Sequence, residues 1–142
     1  MARYEVSFRT IDGSATAANS EIRATSSDRP LLMELGMFCV SATAGSVGIG
    51  RPALMGTTPT TSYRVIPEDP AQPVGTAIVA TAWTTAPTVP VYFYRRLLLK
   101  AAIGAPTIIG WPRGLVIPQT GSLVLWNIAV CPQFDVSVTV DE

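Results

Sequence analysis

A chain of 142 residues is one domain by size and buries roughly 70% of the surface that its unfolded form would expose. Charged residues are only 14% of the chain, ten basic against ten acidic, so no basic excess marks a binder of nucleic acid or of a membrane surface. Low charge, 48% apolar content and the absence of histidine favour a self-associating scaffold over a catalyst.

No run reaches the ~20 apolar residues of a membrane-spanning helix. Residues 1–5 lack the apolar core of a signal peptide, so synthesis in the cytoplasm is expected. Twelve prolines and eleven glycines are spread along the whole length, which punctuates short strands and predicts an all-β fold.

At the N-terminus Tyr4, Val6 and Phe8 alternate with Arg3, Glu5, Ser7 and Arg9. This period of two predicts a strand with one face on the core and one in water. Residues 15–23 are the only stretch with room for a turn or two of helix, and their Ser, Thr and Asn content fits a loop as well. Residues 31–40 are apolar on both parities, which predicts a strand covered on both faces. Glu34 within it is expected to pair with Arg51 or Arg95, to lie exposed on an edge, or to pair across a subunit boundary.

Residues 48–53 match a G-x-G-x-x-A pattern. A dinucleotide site would need a helix to open inside it, and Pro52 argues instead for a glycine-rich turn ending a strand. Residues 51–61 read as a loop, and residues 67–75, with three prolines, as an exposed arm or turn cluster. Residues 77–83, 91–99 and 123–129 repeat the two-faced apolar pattern, while residues 84–90 are extended and Pro-rich. Residues 113–127 read as two short strands around a Pro118-x-x-Gly121 turn. The chain ends as it began, with Phe134, Val136, Val138 and Val140 alternating with polar residues.

These patterns predict a single domain over residues 1–142: a jelly-roll-like β-sandwich or barrel of short strands with Pro/Gly-rich loops. With no helices to cover the second face of its apolar strands, neighbouring subunits are the economical cover, and folded-back loops are the alternative. The candidate inter-subunit residues are Trp126, Val124, Tyr92, Tyr94, Arg95, Arg96, Glu34 and Arg51. Trp83, Trp111 and Trp126 have no cluster of Asn, Asp and Gln around them, which favours core or interface packing over a sugar platform. Cys39 and Cys131 match no metal-ligand spacing and read as free buried thiols or one disulfide. Without histidine, neither a Ser-His-Asp nor a Cys-His system can be built, and no catalytic residue, metal or cofactor is expected.

Four segments, residues 29–36, 47–52, the Trp83 to Arg96 passage through Pro87 and Pro90, and residues 113–127, resemble the small jelly-roll decoration (cement) proteins on the capsids of tailed bacteriophages. The resemblance spans most of residues 29–128. It implies a homotrimer on the virion surface that bridges the major capsid protein and stabilises the head, with no nucleic-acid or membrane partner. It also implies an N-terminal arm within residues 1–28, with residues 3–10 adding to a neighbour's sheet. The alternative is a receptor- or carbohydrate-binding β-sandwich module of a phage tail or spike, using Trp111 or loop tyrosines.

Overall fold

A computed structural model describes residues 1–11, 13–25 and 28–142. Its strands are β1 (Arg3–Arg9), β2 (Ala17–Arg23), β3 (Leu31–Cys39), β4 (Gly45–Gly50), β5 (Thr57–Arg64), β6 (Ile66–Pro67), β7 (Ile78–Thr85), β8 (Phe93–Leu99), β9 (Pro106–Val116), β10 (Ser122–Asn127) and β11 (Phe134–Asp141). They form two antiparallel sheets, ordered β6-β1-β11-β3-β9 and β5-β7-β2-β10-β4-β8, packed as a sandwich and not closed into a barrel.

The pairing is nested. β1 pairs with β11, β2 with β10, β3 with β9 and β4 with β8. A chain folded back on itself in this way and wound across two sheets is an eight-stranded jelly roll. The three remaining strands are an insertion between β4 and β8 that widens both sheets on one side: β7 and β5 continue past β2, and β6 adds to β1. The turn between β9 and β10 is closed by the Gly121 N–H donating to the Pro118 carbonyl at 3.0 Å.

Both terminal strands follow the alternation read from the sequence. Tyr4, Val6 and Phe8 of β1 and Phe134, Val136, Val138 and Val140 of β11 are buried. They meet Ile22, Val47, Ile49, Val79, Leu123 and Leu125 from the other sheet in one core. Burial of side chains of this size stabilises by about 1.5–3 kcal/mol each, and supplies the driving force for the sandwich.

Several expectations are overturned. Residues 17–23 are neither helix nor loop but β2, a central strand, because Ile22 belongs to the core and the polar Ser20 and Glu21 are buried as well. β5 begins at Thr57, inside the stretch read as a loop. Residues 3–9 are no arm: β1 is held on both sides by β11 and β6 of its own sheet, and β1 and β2 draw most of residues 1–28 into the fold. Gly48 and Gly50 lie within β4 rather than in a turn.

The two-faced strands have local explanations. In β3 a bulge between Leu32 and Glu34 lets Leu32 and Leu35 both face inward, which breaks the parity. In β10 all six residues are buried, and on either side of it the outer face of the sheet is covered by the chain's own segments at Gly56 and residues 90–92. Val124 stands between Glu21 and Gly50 in a cross-strand row. The Gly56 N–H donates to Glu21 Oε1 at 3.1 Å. A Cβ on Gly50 would sit 2.6 Å from the Tyr92 carbonyl oxygen and 2.7 Å from Pro90 Cβ, so the glycine is what lets that segment lie flat on the sheet. Leu54 and Thr88 exchange hydrogen bonds and tie the two loops together.

Candidate functional site

Among the described residues no group of three His, Cys, Asp or Glu side chains is placed to hold a metal ion. Cys39 and Cys131 are free and buried, and burial pushes both thiols above their ordinary range. The surfaces that remain are the outer face of the five-stranded sheet and the open side of the sandwich.

On that outer face, side chains directly opposed across strands form rows. One row runs Ile66, Glu5, Thr139, Glu34, Gly110. The Thr139 hydroxyl donates to Glu5 Oε1 at 3.3 Å. The neighbouring row holds the Arg3–Asp141 pair, 2.9 Å apart. A groove of about 350 Å³ follows these rows, lined by Arg3, Glu5, Glu34, Glu68, Trp111 and Thr139 among others. Its carboxylates can accept hydrogen bonds and attract cations, and no activated nucleophile stands among these residues.

Trp111 reaches the groove because β9 is bulged. Gly110 pairs with Glu34 and Leu115 with Leu32, so residues 111–114 all oppose the single Met33. Gly114 has φ +69° and sits against Leu31, where a Cβ would approach to 2.6 Å. Only glycine meets both demands without strain. The bulge leaves Trp111 with one part packed against the core and another facing the groove.

The sequence-derived interface residues separate into three groups. Val124 is fully buried and Trp126 is 9% exposed within a single chain, so neither offers surface to a partner. Arg51 and Tyr94 meet one another: Arg51 Nε donates to the Tyr94 hydroxyl at 2.8 Å, and its Nη2 donates to the Val116 carbonyl at 2.6 Å. Arg51 thus clamps β8 of one sheet to β9 of the other. Tyr92, Arg95 and Arg96 are exposed on or beside β8, with Arg96 over the Phe93 ring at 5.9 Å. Glu34 is exposed in the groove and pairs with neither Arg51 nor Arg95: the ion pairs among the described residues are Arg3–Asp141, Arg9–Asp135 and Arg23–Glu21.

Sequence reasoning missed Glu21, which is fully buried on the outer face of the six-stranded sheet. It accepts from Ser122 Oγ at 2.6 Å, Trp83 Nε1 at 2.8 Å and the Gly56 N–H at 3.1 Å, with Arg23 Nη1 3.6 Å away. Its own stretch offers only Arg23, because the hydrogen-bond donors lie 35 to 101 residues further along the chain. Every partner is satisfied, so the cluster fastens the loop over the sheet and leaves no vacancy for a ligand. Compared with family models, curated proteins and solved structures, the chain matches none of them.

Proposed function

We propose that this protein is a structural, self-associating component of a virion, a capsid decoration protein that joins copies of itself and bridges shell subunits. The observation that carries this reading is the inequality of the two sides of the sandwich. On one side the edge is blunted. β6 is two residues long, and β5 is a run of threonines interrupted by Pro59, which has no N–H to offer.

On the other side the edge strands are β8 and β9, each paired on its inner side only among the described residues. Leu98 and Ile103 are 82% and 74% exposed there, joined by Val91, Tyr92 and Ile108. Pro106, Pro112 and the bulge guard parts of β9 against simple strand addition, so it is the exposed apolar side chains of this edge that favour association.

Charge is also divided. From residue 70 to residue 134 the chain has no acidic residue, and Arg95, Arg96, Lys100 and Arg113 of this side have no ion pair among the described residues. Glu5, Glu34 and Glu68 gather instead in the groove that reaches the opposite side. A basic edge on one copy against an acidic face on the next is a head-to-tail contact, and such contacts close into a ring when the rotation permits, a trimer in this proposal. A ring of copies then gains avidity for a shell from many shallow contacts and stabilises the assembled state by mass action.

The test is sedimentation of the purified protein at micromolar concentration, beside the double variant L98E/I108E, followed by imaging of empty phage shells incubated with each. The reading expects a closed oligomer that decorates shells and a folded monomeric variant that does not. A wild-type monomer that leaves shells bare would overturn it.

A further inference from the structure

The carboxylates of the groove are not neutralised by their own chain. Every lysine and arginine lies among the described residues, and none forms an ion pair with Glu5, Glu34 or Glu68. Arg3 lines the same groove, but its Nε and Nη2 donate to the two oxygens of Asp141 at 2.9 and 3.4 Å. The row of Glu5, Thr139 and Glu34 ends at Gly110, where an added Cβ would meet only the Met33 carbonyl oxygen at 3.9 Å. Nothing in that row stands between Glu34 and the β9 edge, and the half-buried Trp111 forms the wall beside it.

Trp111 and Pro112 also line a second hollow of about 330 Å³, together with Arg113 and Gly114. Its walls are the indole, the pyrrolidine ring and the methylene stem of Arg113, so it suits an apolar side chain. An acidic receptor and an apolar one therefore share the ridge of Trp111 and Pro112. A partner that fits both must carry a cation and an apolar group a short distance apart.

β8 carries that pair. Arg96 stands opposite Gly48 and Leu98 opposite Ser46, which puts both on the outer face of the six-stranded sheet, while Leu97 between them turns inward opposite the buried Val47. Two residues along one strand place their side chains about 6.7 Å apart. Leu98 is 82% exposed, and Arg96 is exposed with no ion pair among the described residues. The Phe93 ring sits on Gly48, where a Cβ would approach it to 2.6 Å, and the Arg96 guanidinium lies over that ring at 5.9 Å. This layering lifts the charge off the sheet. Arg96 and Glu34 are on opposite outer faces of the sandwich, so only a second copy can bring the two together.

We infer that β8 of a second copy docks across Trp111 and Pro112, with Arg96 set over the indole and against Glu34, and Leu98 seated in the apolar hollow. The contact joins a cation–π interaction to an ion pair beside a buried leucine. It rests on the self-association proposed above and names the surfaces that meet.

The experiment is sedimentation equilibrium of the full chain at low and high salt, from about 1 to 100 µM, with circular dichroism to check that each variant is folded. Glu34→Arg and Arg96→Glu each set like charges against one another and are expected to raise the dissociation constant about a hundredfold at low salt. The double variant Glu34→Arg/Arg96→Glu restores opposite charges and is expected to return to within about threefold of wild type. Leu98→Ala leaves the hollow unfilled and is expected to weaken the contact about tenfold at either salt concentration. Any single variant that assembles as tightly as wild type, or a double variant that stays dissociated, would sink this docking and leave self-association through another surface standing. A wild-type chain that is monomeric throughout removes both the contact and the reading on which it rests.

Discussion

The indole N–H of Trp83 donates to Oε2 of Glu21 at 2.8 Å, joining a half-buried residue of β7 to a fully buried carboxylate of β2. The other oxygen of that carboxylate takes the Ser122 hydroxyl and the Gly56 amide, so one side chain fixes β2, β7, β10 and the loop before β5. Arg23 completes the knot by donating to the Gly56 carbonyl at 2.9 Å.

Removing this carboxylate leaves three donors without their acceptor and the part-buried Arg23 guanidinium, still bonded to the Gly56 carbonyl, without its counter-charge. Glu21→Ala is therefore expected to cost about 3–5 kcal/mol, the range for breaking a buried ionic network. Trp83→Phe removes one donor and keeps most of the ring, and should cost about 1–3 kcal/mol. Urea denaturation followed by tryptophan fluorescence for the first variant, and by circular dichroism for both, measures the losses. A Glu21→Ala protein within about 0.5 kcal/mol of wild type would mean that the loop is held by packing alone.

Gly50 supports a second expectation. A Cβ there meets the Tyr92 carbonyl oxygen at 2.6 Å and Pro90 Cβ at 2.7 Å, and a backbone atom cannot step aside as a side-chain end can. Gly50→Ala should lift the residues 90–92 segment off the sheet and destabilise by about 1–3 kcal/mol. Gly104 has φ +74°, but a Cβ added to it would meet nothing within 4 Å, so it would respond through backbone strain only. Hydrogen exchange reads the difference: faster exchange in residues 45–50 and 90–99 for the Gly50 variant, and in the turn alone for Gly104→Ala.

The two cysteines give an expectation about reactivity. Burial raises both thiols, Cys131 also feels the nearby Cys39, and the Cys131 S–H donates to the Ser46 and Ala129 carbonyls at 3.4 and 3.3 Å. Little thiolate is present near neutrality, and what forms is shielded. Ellman's reagent should label neither cysteine of the folded protein within minutes and both at once after guanidinium unfolding. Rapid labelling of either in native buffer would place that thiol at the surface.

What the sequence disclosed of this fold follows from which residues decide their own environment. Tyr4 to Phe8 and Phe134 to Val140 alternate because a single face of each strand is buried, and that pattern is local. β2 stayed hidden because Asn19, Ser20 and Glu21 read as a solvated stretch, and their burial depends on Trp83, Ser122 and Gly56, far along the chain. The apolar content of Val124 and Trp126 correctly announced a second cover, but composition cannot say whose atoms supply it, and here loops of the same chain do. Glu34 is at the surface, as one of its readings allowed.

The last expectation concerns acid. Arg9 donates to both oxygens of Asp135, from Nε at 2.7 Å and Nη2 at 2.9 Å, across the β1–β11 pair. Those hydrogen bonds, with the charge of Arg9 added, hold the Asp135 carboxyl below its ordinary range. A carboxyl whose folded pKa lies below its unfolded value, about 3.9, lends the fold stability that is complete above that value. The contribution is lost as pH falls through the lower, folded value. It is small, because both side chains stand largely in water and salt screens them. Asp135→Asn should therefore unfold at slightly lower urea than wild type at neutral pH, and the gap should close below the ordinary carboxylate range. The gap should also shrink at high salt. A difference that stays constant down to about pH 2 would show that the asparagine harms the strand by some route other than the lost charge.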